Sequence, residues 1–417
     1  MAKGGKTVYF GQIGSHSSVI LNYFYRNGAP QCEASENPAE YILRMVSGDK
    51  VNIDWPAKWN ESPELQEVIA ELGRLEGLRD QTDNEAFVAE FDGYFALPLY
   101  SQFRYVAIRA FQQYFRQPEY IFSKFCLGIA SGLFIGFSFW KVDYSEQGFQ
   151  NALFSVFLLC SIFSILVNQI MPKFVSQRSL YEVRERPSRV YSWQVFIMSQ
   201  VLVEVPWHAL LGVCVWASAF FPVFGTQGSS ESKELVLLFI VQFYIYAGSM
   251  AQMVVSALDN PAMGAQIATL MFGLCFVFNG VMQPPDALPG FWIFMYHLSP
   301  FTYYVAGIAA AALGGRPVQC SDVELNIVDP PAGQTCGEYL AKFVEMSGGS
   351  LYNKDASSAC EYCTMSSADQ YLAGRRIHWN DRWRNYGIFV CYFAFNAFLT
   401  ISLYYLFRVR RWRSPKA

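Results

Sequence analysis

Three short stretches of this sequence carry residue types that could do chemistry. Gly5-Lys6-Thr7 matches the last three residues of a phosphate-binding loop, G-x-x-x-x-G-K-[ST]. Such a loop cradles phosphates only when an earlier glycine completes it and a helix N-terminus follows. The earlier glycine would fall before Met1, and Val8-Tyr9-Phe10-Gly11 is strand-like, so the stretch is expected to be a hairpin turning at Lys3-Gly4-Gly5-Lys6. Cys360-Glu361-Tyr362-Cys363 has the spacing of a redox or zinc pair. No second C-x-x-C accompanies it, and Cys320 and Cys336 share its polar segment, so two structural disulfides are expected, on an oxidising side of a membrane. Glu204 and His208 lie four apart, on one helix face inside an apolar run. That pair could relay protons or form a structural hydrogen-bonded pair, and the structural role is expected. His16, His208, His297 and His378 do not cluster and no Ser-His-Asp pattern stands out, so no catalytic constellation is visible and the chain is not expected to be an enzyme.

Composition says what must position these residues. Of 417 residues, 53% are hydrophobic and 17% aromatic, but only 16% are charged, against about 25% in an ordinary soluble domain. The charges crowd into 33–92, 173–189, 316–384 and 408–416, with long apolar runs between them. A helix crossing about 30 Å of hydrocarbon needs about 20 apolar residues. Runs 121–140, 149–171, 235–258, 263–284 and 387–407 meet that length, and 194–222 does so while carrying Glu204, Pro206 and His208. The net charge of −3 does not point to nucleic acid, and residues 1–14 lack the apolar core of a signal peptide.

Positive charge sets the parity of the crossings. Residues 172–193 hold Lys173, Arg178, Arg184, Arg186 and Arg189, and the tail holds Arg408, Arg410, Arg411, Arg413 and Lys416. Lys/Arg-rich short loops stay in the cytosol. Both termini and the 172–193 loop are therefore expected to be cytosolic, with an even number of spans. Six satisfies this, and 287–313, broken by Pro289 and Pro300, should dip in and return as a re-entrant pair of short helices. The predicted fold is an all-α polytopic membrane protein with six transmembrane helices, a short α/β piece at the N-terminus and an external four-cysteine loop.

The expected organisation is 1–48 as a small mixed fragment, 49–97 as an acidic cytosolic linker with a helix at 63–79, and 98–118 as an amphipathic helix. Residues 119–312 then hold the first five spans and the re-entrant pair, 313–386 the external loop, and 387–417 the last span and basic tail. Gly128, Gly132 and Gly136, spaced by four, should let a neighbouring helix come close.

Several stretches together resemble the C-terminal half of a fungal pleiotropic-drug-resistance ABC transporter of the G type. They are Asn37-Pro38-Ala39-Glu40, Asp54-Trp55, the loop from Ser179 to Tyr191, the run from Phe291 to Pro300, and the segment from Arg382 to Phe389. The resemblance covers essentially the whole chain. It implies the end of the second ATP-binding domain (1–48) followed by one transmembrane domain. The Walker loops and signature are expected to lie outside this chain, and Met346-Ser347-Gly348-Gly349-Ser350 only echoes the signature. ATP and magnesium would be held by partner nucleotide-binding domains, with no cofactor on this chain. The implied partners are those domains, the missing N-terminal half, the bilayer, and hydrophobic small molecules or lipids.

The resemblance also implies site residues. Phe154, Phe157, Phe163, Phe272, Phe276 and Asn279 would line a substrate pocket, and Val281 and Met282 a constriction above it. Arg178, Tyr181, Glu185 and Arg186 would couple the membrane domain to the ATP domain, and the disulfides would be Cys320–Cys363 and Cys336–Cys360, although residue types alone allow three pairings. The implied function is efflux of amphipathic xenobiotics, sterols or lipids from the plasma membrane. The alternatives are a passive or proton-coupled carrier using Glu204 and His208, or a membrane-embedded enzyme.

Overall fold

A computed structural model describes residues 5–33, 36–47, 53–81, 95–226 and 228–410. The turn residues Lys3 and Gly4, part of the expected linker, and the tail beyond Arg410 lie outside the described residues. The chain divides into two compact units, Met1–Gly93 and Tyr94–Ala417, described separately here.

The first unit holds four α-helices among its described residues: α1 (Ser18–Arg26), α2 (Pro38–Ser47), α3 (Trp55–Asn60) and α4 (Pro63–Gln81). Asp54 caps α3 by accepting from the Ala57 N–H. Trp55 and Trp59, inside the stretch expected to be a linker, pack with Tyr23, Phe24, Tyr41 and Met45 into a small aromatic core. The expected hairpin is not seen: residues 5–14 contain no strand. Val8 is buried instead, and the Tyr23 hydroxyl donates to its carbonyl at 3.0 Å, occupying a group a ladder would need.

The second unit is a helical bundle. Its elements are α5 (Leu99–Phe115), α6 (Pro118–Ser138), α7 (Glu146–Leu159), α8 (Ile162–Leu180), α9 (Trp193–Phe224), α10 (Ser230–Ser256) and α11 (Pro261–Val277). The short helices α12 (Ile293–Leu298) and α13 (Pro300–Leu313) follow, and after the cysteine segment the long α16 (Arg382–Tyr404). Five helical stretches are long and apolar enough to cross a membrane: Pro118–Ser138, Glu146–Glu185, Trp193–Phe224, Ser230–Ser256 and Trp379–Val409. The α10 helix is central, packing on α8, α9, α11, α13 and α16.

Two boundaries differ from the apolar pattern. The run 149–171 is interrupted after Leu159, and its second part continues to Leu180 and then through a wider turn closed by Arg186 N–H to Tyr181 carbonyl. The run 263–284 is helical only to Val277. Seventeen residues rise about 25 Å, and Gly280, at φ 84°, turns the chain before Pro284 and Pro285.

Glycine spacing explains the α6–α9 seam. A Cβ on Gly128 would meet Leu211 at 2.8 Å, one on Gly132 the Ser218 hydroxyl at 2.3 Å, and one on Gly136 the Ser218 carbonyl at 2.9 Å.

Residues 314–381 form a compact cap built on two disulfides, Cys320–Cys363 and Cys336–Cys360, as the resemblance implied. Strands β1 (Asn326–Val328), β2 (Ser350–Leu351) and β3 (Cys360–Cys363) pair antiparallel in the order β1-β3-β2. Helix α14 (Cys336–Ser347) opens with a Thr335/Glu338 capping box, and α15 (Ala368–Ala373) closes the segment. Cys360 and Cys363 sit three apart on a strand, hence on opposite faces, each bonded to a different partner. Gly348 and Gly349, the centre of the signature-like stretch, both have positive φ and turn α14 into β2.

Candidate functional site

Three groups of side chains in the second unit could serve transport. The most polar is buried. Lys124 on α6 and Glu204 and His208 on α9 are each at most 3% exposed. Lys124 Nζ donates to Glu204 Oε2 at 3.0 Å and lies 3.2 Å from His208 Nε2. The other carboxylate oxygen accepts from the Tyr114 hydroxyl at 2.9 Å and the Tyr120 hydroxyl at 2.7 Å. A buried charge persists only when paired and hydrogen-bonded, and here both oxygens of Glu204 are committed. The i, i+4 spacing puts Glu204 and His208 on one face, 3.5 Å apart. Room for the imidazole comes from α10, where a Cβ on Gly248 would lie 2.2 Å from the ring. The cluster ties α5, through Tyr114, to α6 and α9.

The second group is aromatic. Phe157 stacks on Phe276 at 4.0 Å and Phe163 on Phe272 at 5.2 Å, while Phe272 and Phe276 lie 5.1 Å apart. These rings join α7 and α8 to α11, filling the space between them, and Phe154 packs partly buried against the same core. Asn279 is buried, its Oδ1 accepting from the Val281 N–H, and its Nδ2 has no acceptor among the described residues. Val281 is buried and its carbonyl accepts from Arg375 at 3.3 Å, whereas Met282 is exposed. The open space is elsewhere on α11. A shallow groove of about 760 Å³ runs along Asn168, Ala265, Gln266, Thr269, Gly273 and Leu274, and none of the six expected pocket residues lines it.

The third group is the 178–192 segment. Arg178 is buried, and its guanidinium donates to the carbonyls of Val255 at 2.6 Å, Ser256 at 3.3 Å and Leu258 at 2.5 Å, capping the C-terminus of α10. Tyr181 stacks on Phe196 at 4.7 Å. Glu185 takes a two-pronged bond from Arg109 of α5, at 2.7 and 3.0 Å, and accepts from the Tyr191 hydroxyl. Burial and the Glu185 carboxylate push the Tyr191 phenol above its usual range, so it remains a donor. Arg186 Nη1 lies 3.5 Å from the Arg408 carbonyl near the end of the last helix. These four residues therefore brace the segment internally, while Val183, Arg184 and Val190 are exposed.

Lys124, Tyr114, Tyr120, Arg109 and Arg375 were not singled out from the sequence as parts of these groups. Lys124 could have been, since it is the lone charge in the run 121–140 and a lysine there needs a partner. Nor do residues 5–7 suit a nucleotide: α1 begins eleven residues after Thr7, so no helix N-terminus follows the lysine to receive phosphates.

A bundle of long apolar helices with a broken helix pair, a braced polar loop and a disulfide cap is the architecture of a polytopic transport domain. The chain belongs to the family described as ABC2_membrane, ABC-2 type transporter, which it matches over residues 101–313. It is 53% identical to the "ABC-type transporter adrC" of Penicillium roqueforti, over all of this chain and 29% of that protein. It is 52% identical to the "ABC multidrug transporter MDR1" of Trichophyton interdigitale, over 99% of this chain and 27% of that protein. A third relative, the "ABC multidrug transporter atrA" of Aspergillus oryzae, is 48% identical over 99% of this chain and 28% of its own length. The chain thus spans less than a third of the length of these curated relatives.

Proposed function

We propose that these 417 residues are the C-terminal membrane half of an ATP-driven exporter of amphipathic compounds, xenobiotics, sterols or lipids, in the plasma membrane. The observation that carries this is near-complete coverage of the chain by fungal multidrug transporters at about half identity, together with the ABC-2 match. ATP hydrolysis is supplied by nucleotide-binding domains of the longer protein. In this chain, the groove along α11 offers apolar surface with few polar groups, suited to varied greasy ligands, while the stack of Phe157, Phe163, Phe272 and Phe276 packs α7 and α8 against that helix. The groove is open on one side, where the other membrane half would close it. Val183, Arg184 and Val190 offer the exposed contact surface toward an ATP domain. Arg178, Tyr181, Glu185 and Arg186 then carry force inward to α10, α5 and the end of α16. The basic 172–193 loop and tail support cytosolic termini, with the disulfide cap outside.

The reading of Glu204 and His208 as a proton carrier is weaker, because a carrier must release the carboxylate that Lys124, Tyr114 and Tyr120 hold. Photo-crosslinking with a diazirine-bearing azole tests the site. Labelled peptides from α8 and α11 are expected; labelling confined to α5, α6 or the cap would refute the placement.

A further inference from the structure

The contacts of Arg178, Glu185 and Arg186 lead to α10, α5 and the end of α16, whereas the groove runs along α11. A further guanidinium joins the two. Arg408, in the turn that ends the last helix, stands between two carboxylates: its Nη1 lies 3.7 Å from Glu182 Oε2 and its Nη2 2.5 Å from Asp259 Oδ1. Glu182 belongs to the turn Tyr181–Glu185 and directly precedes the exposed Val183 and Arg184. Asp259 lies in the short 257–260 connection from α10 to α11. It is followed by Asn260, whose side chain caps α11 by accepting from the Ala262 N–H at 2.8 Å. Ala262 is also a lining residue of the groove. Arg178 holds the same connection through the Leu258 carbonyl, and it stands within electrostatic reach of Arg408, Glu182 and Asp259.

The two ion pairs of Arg408 are unequal. The side chains of Arg408 and Glu182 are 13% and 12% exposed, that of Asp259 86%. A pair facing water contributes little and parts easily, whereas parting a buried pair strands a charge. Arg408 is therefore fixed to the 181–185 turn and releasable from the start of α11.

We propose that Arg408 is a positioning residue for export. It passes movement of the 181–185 turn, through Asp259, to the first turn of α11 and so to the groove. Its role in export rests on the reading above; the link from Glu182 to Asp259 does not.

Hydrogen exchange on the 417-residue chain in nanodiscs tests the link without transport. Arg408→Gln should speed exchange at residues 258–264 about fivefold. Glu182→Gln should do the same, and the double variant no more than either alone, because both act through one guanidinium. Arg408→Lys should recover part of the protection by keeping a cation beside Glu182. Residues 146–152, the start of α7 fastened by the cap, should not change. Exchange unaltered at 258–264, multiplied in the double variant, or raised equally at 146–152 would overturn the proposal. The role in export is read in the Trichophyton interdigitale transporter carrying this chain in place of its matching segment. There Arg408→Gln should lower the amphipathic dye moved per ATP hydrolysed about fivefold, with the KM for dye unchanged. A loss of ATP hydrolysis and dye movement in step, leaving that ratio unchanged, would reduce Arg408 to a structural residue and overturn its role. Failure of the unsubstituted chain to move dye counts against the export reading alone, since the exchange result is obtained independently.

Discussion

Replacing Lys124 by methionine should be among the most damaging single changes in the bundle. At 3.0 Å the Lys124–Glu204 pair attracts by about 5–6 kcal/mol at an effective dielectric near 20. Much of that only offsets desolvation of the two charges, so the pair's net contribution is small. The single variant is different, because it leaves Glu204 buried at 3% exposure with only Tyr114, Tyr120 and His208 around it. Breaking such a pair from one side costs about 3–5 kcal/mol. Glu204→Gln should cost a similar amount by stranding the ammonium. The double variant Lys124→Met/Glu204→Gln should recover more than half of either loss, since no net charge then remains in the Lys124–Glu204 pair. Equilibrium unfolding in mixed micelles of dodecyl sulfate would measure the cycle. Losses that add, or single variants within about 0.5 kcal/mol of wild type, as for surface changes, would refute the claim that this cluster is an electrostatically closed anchor. The same arithmetic makes the double variant the fair probe of proton carriage, because Glu204→Gln alone confounds it with instability.

Other consequences follow from the α6–α9 seam and the cap. Gly132→Leu should destabilise the bundle by about 1–3 kcal/mol through overpacking against Ser218, with partial rescue by Ser218→Gly, read by the same unfolding assay. Non-reducing peptide mapping should recover Cys320 with Cys363 and Cys336 with Cys360, and leave Cys32 alkylated. Glu324 in the cap accepts from the N–H groups of Glu146 at 3.3 Å and Gln147 at 2.8 Å, fastening the start of α7. Partial burial opposes its ionisation, but these bonds and that from Ser321 prevail and hold its carboxyl below the usual carboxylate range. Its contribution is therefore present above the unfolded value near pH ~4.3 and is lost as pH falls through the lower folded one. Hydrogen exchange at Glu146 and Gln147, corrected for intrinsic rate, should lose protection in that acid window in wild type and already at neutral pH in Glu324→Gln; an unchanged pattern would refute the clamp.

Long periodic features were legible in the sequence, and features made by approach of distant residues were not. The apolar runs marked the helices because lipid and core both demand apolar length, and the four-residue glycine spacing marked the α6 seam because it is local to one helix. The break after Leu159 and the early end at Val277 were hidden, since apolar composition continues across both. The strand expected at Val8–Gly11 failed because strand propensity needs a partner edge, and the Val8 carbonyl is claimed by Tyr23. Glu204 and His208 were legible as a pair, but their partners come from Tyr114, Tyr120 and Lys124, some 80 to 90 residues earlier, so only the rule that a buried charge needs a counter-charge could have pointed to Lys124. Glu324 carried no signal, being one acid among many in a polar segment.

The central claim is that this chain forms half of the path of an ATP-driven pump. A chimera in which these 417 residues replace the matching segment of the Trichophyton interdigitale transporter, in inside-out vesicles, tests it most directly. Concentrative uptake of a fluorescent amphipathic cation such as rhodamine 6G is predicted to require ATP and to persist when the proton gradient is collapsed. A chimera that folds and hydrolyses ATP yet accumulates no dye, or that accumulates it from a proton gradient without ATP, would contradict the account.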